Sequence, residues 1–192
     1  MKYHFVYALS FLLTGLVSTW FFLAFHWSYD SFELSGIFSG CLFIACLSII
    51  LAMIVKRLKF KQIIKLSASL FLTYLVLYFL TTQFYIIIEL FGMLASGFGA
   101  LSVFYFVDTC VIPINYSVRN SFLFGAAAFM LTMLLKSVEI PDLLIGDIYN
   151  DRLKTNYALL ILFWQTIIGY LVMQKVLYSI NEGRSARTIA SH

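Results

Sequence analysis

The residues from Phe5 to Phe25 form 21 consecutive positions without one charged side chain. A run of that length constrains the fold more than anything else in the sequence. About 20 apolar residues wound into a helix match the thickness of a bilayer's hydrocarbon core, whereas the apolar stretches of ordinary soluble helices are shorter and broken by polar positions. The pattern recurs along the chain. Further apolar runs cover about 37–55, 67–88, 91–112, 121–135 and 157–178. They are continuous rather than alternating, which predicts helices and not the roughly ten-residue alternating strands of a membrane barrel. Only 11% of the 192 residues are charged and 62% are hydrophobic, against about 25% charged in a typical soluble domain. Such a chain lacks the polar groups to cover a water-facing surface. The expected fold is an all-α, polytopic transmembrane helix bundle forming one membrane domain over residues 1–192.

The first run exceeds the 7–15 apolar residues of a secretory signal and no small-x-small cleavage site closes it, so it is read as a retained first span. Trp27 and Tyr29 suit the interface, with Asp30 and Glu33 just beyond. Orientation follows from the basic residues. Lys56, Arg57, Lys59, Lys61 and Lys65 form the densest cationic stretch, in a short loop beside two spans. Such loops stay in the cytoplasm. Asp30, Glu33 and the acidic segment Glu139–Asp151 then lie outside, and both termini, including a short tail at 181–192, are cytoplasmic in the inner (plasma) membrane.

Two topologies satisfy the charges. Six spans is the preferred reading. In the alternative, four spans cross and the segment 91–135 forms a re-entrant or surface-lying helical hairpin, because the turn at Glu89 is tight and the run 121–135 is short. Gly92, Gly97, Gly99 and Gly125 mark this region as a place of close helix contact, since small residues let backbones approach in lipid.

Ionisable residues within apolar segments are functional hypotheses by default. Glu89 follows three isoleucines, and Asp108 sits between Val107 and Thr109, where it is able to pair with Arg119. Each also has a plain structural reading, as a turn or span-end residue. Gln83 and Gln165 are polar intramembrane positions better suited to holding helices together than to binding substrate. Lys136 can extend its charge to the interface. The three histidines are scattered and the three cysteines show no metal-ligand spacing, so no metal, cofactor, catalytic group or direct nucleic-acid contact is expected. No motif ties the chain to a known family.

Two functions remain open. One is a non-enzymatic membrane subunit that self-associates through its small-residue faces and couples the membrane to a cytoplasmic partner through Lys56–Lys65, as in bacterial defence or immunity (anti-phage) systems of equally plain design. The same basic stretch also suits anionic lipid head groups. The other is a small channel or transporter using Glu89, Asp108 or the Thr81–Gln83 patch. A lipid-processing enzyme would need clustered acids and histidines, and the acidic loop lacks histidine.

Overall fold

A computed structural model describes residues 2–28, 32–55, 58–83, 88–135 and 152–190. Six helices account for nearly all of them, and no strand occurs among the described residues. They are α1 (Lys2–Ser28), α2 (Phe32–Ile54), α3 (Phe60–Gln83), α4 (Ile88–Cys110), α5 (Val118–Leu135) and α6 (Arg152–Ala190). Four segments, Ile37–Ile54, Phe60–Leu80, Leu90–Cys110 and Leu159–Glu182, are long and apolar enough to cross a membrane. The chain is therefore a helical, membrane-type bundle.

The helix ends follow local chemistry. At the start of α3, Gln62 Oε1 accepts the Lys59 N–H at 2.9 Å, the returning half of a capping box. Helix α3 thus begins at Phe60 rather than at Ser67. Lys61 and Lys65 lie on an exposed face of its first two turns and not in a loop, while Lys56 and Arg57 lie outside the described residues. At the end of α4, Pro113 disfavours helical backbone at Ile112. The chain then turns through Asn115, at φ 45°, and restarts at Ser117, whose Oγ accepts the Asn120 N–H at 3.4 Å. That N-cap starts α5 three residues before the apolar run and lengthens it to 18 residues, about 27 Å at 1.5 Å per residue. Helix α6 has 39 residues, about 58 Å, so the expected tail from Asn181 continues the helix to Ala190.

The helices pack in chain order, each on the next, and α6 returns to close on α1. Thr14 meets Cys46 across α1 and α2, and Ser48 meets Ser67 across α2 and α3. Gly97 faces Phe122 across α4 and α5, and Gly169 faces Phe11 across α6 and α1. Each pairing runs antiparallel. The start of α1, the α2–α3 connection, the α4–α5 connection and the end of α6 consequently share one end of the bundle.

The bundle exposes large apolar side chains and buries several polar ones within its apolar core. Buried positions include Ser18, Ser39, Ser48, Ser96, Ser121, Thr132 and Gln165, whereas Leu72, Val76, Phe79, Leu123 and Leu134 are exposed. Lipid tolerates that exterior, and only internal partners satisfy polar atoms on such an interior. The half of the bundle near the α2–α3 connection is predominantly apolar, with the Ser48–Ser67 pair set into it. Leu47, Leu51, Leu66, Val107, Val172 and Val176 fill it, and Ile114, from the α4–α5 connection, folds in beneath them at 1% exposure.

Candidate functional site

In the other half the helices separate around a cavity of about 190 Å³. It lies between α2, α3, α4 and α6, with Phe129 of α5 reaching its wall. The site is best built from two of the four α6 residues that line it, Trp164 and Gln165.

Trp164 Nε1 donates to the Ser96 carbonyl on α4 at 3.1 Å. Its ring meets Phe43 of α2 edge-on, with centroids 5.3 Å apart. Gly99 makes room for it, since a Cβ there would lie 3.2 Å from the indole. Gln165 Nε2 donates to the Ser39 carbonyl on α2 at 3.0 Å. A carbonyl oxygen only accepts, so this contact fixes the orientation of the amide, with the NH₂ toward Ser39. The network continues outward on both sides. Ser39 Oγ donates to the Ser18 carbonyl on α1 at 3.2 Å, and Ser96 Oγ donates to the Gly125 carbonyl on α5 at 2.7 Å. Side chains bonded to backbone carbonyls therefore join α1, α2, α6, α4 and α5 in one belt around the cavity. Interhelical bonds of this kind contribute about 0.6 kcal/mol each on average; their greater effect is to fix helix register.

The belt leaves one acceptor over. Gln165 is 4% exposed, and its Oε1 has no hydrogen-bond partner among the described residues. The Ser18 hydroxyl is the other buried side-chain atom in that state. No Asp, Glu, Lys or Arg contributes to the cavity wall among the described residues.

Of the other residues singled out in the sequence, Gly92 and Gly99 line the cavity, whereas Asp108 and the lysines at the start of α3 do not. The Asp108 carboxylate accepts the Ile114 N–H at 2.7 Å, which pins the α4–α5 connection under the bundle. Arg119 is exposed, and Asp108 does not line the cavity. Gln83 ends α3 and Glu89 opens α4; the side chains of both lie outside the described residues. Lys136 and Glu139–Asp151 also lie outside them. Lys59, Lys61 and Lys65 are exposed at the opposite end of the bundle from the cavity.

A Cβ at any of the four glycines would meet a group on a neighbouring helix of the same chain. Gly92 and Gly97 of α4 receive the rings of Phe129 and Phe122 from α5, and Gly125 of α5 sits on the Ser96 carbonyl and Ala100. The sequence does not single out Ser39 or Trp164, and it marks Ser96 only as one small residue among several. Serine and tryptophan are unremarkable in membrane spans, and their importance comes from partners 29, 68 and 126 positions apart in the chain. Small residues at Gly40 and Gly99, on the helices that face Tyr74 and Trp164, are the only local hint.

Among the described residues, no group of three His, Cys, Asp or Glu side chains is placed to hold a metal ion. Compared with known protein families, curated proteins and solved structures, the chain matches none.

Proposed function

We propose that the chain is a non-enzymatic membrane subunit that crosses the bilayer six times and presents a basic cytoplasmic end to a protein partner. The observation that carries this reading is the closed antiparallel ring. It gathers the start of α1, the α2–α3 and α4–α5 connections and the end of α6 at one end of the bundle. In the sequence, the helix ends and connections of that end hold ten of the thirteen Lys and Arg residues and two of the nine Asp and Glu residues, Asp108 and Glu182. A charge asymmetry of that size favours a cytoplasmic location for the end that carries it. The packing of α5 between α4 and α6 in the ring favours six crossings over four.

Helix α6 supports the docking half of the reading. Its apolar stretch closes at Glu182 and the helix continues to Ala190, about 12 Å further. Lys61 and Lys65, on one face of α3, flank the same end. A helix that continues past its apolar stretch beside exposed lysines suits an acidic partner surface. Self-association, expected from the glycine faces, loses that support, because Phe122, Phe129, Ser96 and Ala100 of the same chain occupy those faces. The channel reading lacks support of the same kind. The cavity wall carries no charged residue among the described ones, and a predominantly apolar plug ending in Ile114 lies between it and the basic end.

Site-specific photocrosslinking in living cells tests the reading. A photoreactive amino acid at Lys61 should capture one discrete protein, and the same group at the lipid-facing Leu123 should capture none. Replacing Lys59 and Lys65 with glutamate should reduce the Lys61 adduct at least about tenfold, as expected when like charges meet across a rim. Lipid adducts alone at Lys61, or a protein adduct indifferent to the glutamates, would count against partner docking.

A further inference from the structure

We infer that the cavity is a binding site for a compact, uncharged, mostly apolar molecule that carries a hydroxyl group. Size comes first. On the scale where an apolar cavity of about 150 Å³ takes up benzene, the 190 Å³ here holds a single six-membered ring with a substituent. The absence of a charged group from the described wall sets the ligand's charge, since an ion brought into such a space would stay unpaired at a cost of several kcal/mol.

The hydrogen-bond inventory sets its functional group. Four of the donors in the wall, which Tyr74 and Tyr78 also line, are engaged by backbone carbonyls. Thr73 Oγ1 bonds Ser69 O, Ser96 Oγ bonds Gly125 O, Ser102 Oγ bonds Phe98 O and the Trp164 N–H bonds Ser96 O. Gln165 also lines the cavity, and its Oε1 is a buried acceptor with no partner among the described residues. An amide oxygen left in that state costs about 1–3 kcal/mol. A ligand that brings a donor removes the penalty; a pure hydrocarbon leaves it in place. The site therefore selects an alcohol over a hydrocarbon of the same shape. This inference is independent of partner docking, which involves the opposite end of the bundle.

Cyclohexanol and methylcyclohexane differ by the exchange of a hydroxyl for a methyl group and serve as the probes. Binding is read from Trp164 fluorescence in the full chain in lipid nanodiscs, with Trp20 and Trp27 replaced by phenylalanine and each affinity referred to the probe's concentration in the membrane phase. Cyclohexanol should bind about tenfold more tightly, the effect of one hydrogen bond to an otherwise unpartnered acceptor. In Gln165→Leu the ratio should fall to about one while methylcyclohexane still binds. In Ala95→Leu, which fills the cavity from α4 and leaves Gln165 intact, neither probe should bind. A ratio near one in the unmodified site, a preference that survives Gln165→Leu, or no response to either probe would overturn the inference.

Discussion

Gly125→Leu should abolish the native bundle. At this position α5 lies directly on the backbone of α4. A Cβ would meet the Ser96 carbonyl oxygen and the Ala100 methyl, both fixed parts of a helix and not the movable tip of a side chain. The Ser96 Oγ bond to the Gly125 carbonyl, at 2.7 Å, holds the same contact from the other side. A larger residue must force the helices apart, which breaks that bond and draws Ser96 away from Trp164. Overpacking of this kind costs about 1–3 kcal/mol and more where nothing can yield. Gly125→Leu should fall at or beyond the top of that range, and Gly125→Ala within it. Gly99→Ala is the control. Its new methyl would lie 3.2 Å from an indole that borders open space, and the cost should stay below about 1 kcal/mol. Thermal unfolding of the purified protein, followed by circular dichroism, reads all three. A Gly125→Leu protein that melts like the parent would contradict the α4–α5 packing.

Phe11→Ala should have the second largest effect. Phe11 is fully buried, its ring lies on Gly169 where α6 closes on α1, and its centroid is 6.1 Å from that of Phe43 on α2. In a water-soluble core the substitution costs about 3–5 kcal/mol, part from transfer to water and part from the void left behind. In a bilayer the separated helices keep their side chains in lipid, so the transfer part disappears. What remains is lost packing, about 2–3 kcal/mol. The same reasoning sets Leu72→Ala, at a lipid-facing position, near zero. Phe11→Ala and Leu72→Ala compared in one unfolding assay separate the two contributions. Equal losses would mean that α1 is not sealed against α6 at Gly169.

The sequence declares this architecture unevenly. Helix count and position are legible because lipid demands long apolar runs, and every run of the sequence lies mostly within one helix. Helix ends are less legible. Gln62 moves the start of α3 back to Phe60, and Ser117 moves the start of α5 back to Val118. Both shifts arise from single side chains capping a helix, which hydropathy does not register. The glycines are legible as points of close contact. Whether a partner comes from the same chain or another copy is not, because that depends on Phe122 and Phe129 arriving from the next helix. Asp108 illustrates a different limit. An acid in an apolar segment invites a reading as an ion path, and the sequence gives no sign that its carboxylate accepts the Ile114 N–H across the connection. Gln165 was legible as a polar intramembrane residue, but not the cavity it faces, which requires α2, α3, α4 and α6 to be assembled first.

Crossing number and orientation together form the central claim, and one labelling experiment reaches both. In a background with Cys41, Cys46 and Cys110 replaced by alanine, single cysteines are placed by Arg119→Cys, at the start of α5, and Asp147→Cys, between α5 and α6. Intact cells are then exposed to a membrane-impermeant maleimide, with and without permeabilisation of the inner membrane. Six crossings with the basic end inside require the cysteine at position 147 to label in intact cells and the one at position 119 to label only after permeabilisation. Labelling of both in intact cells would mean that α5 does not cross and that the ring of six is not a transmembrane unit.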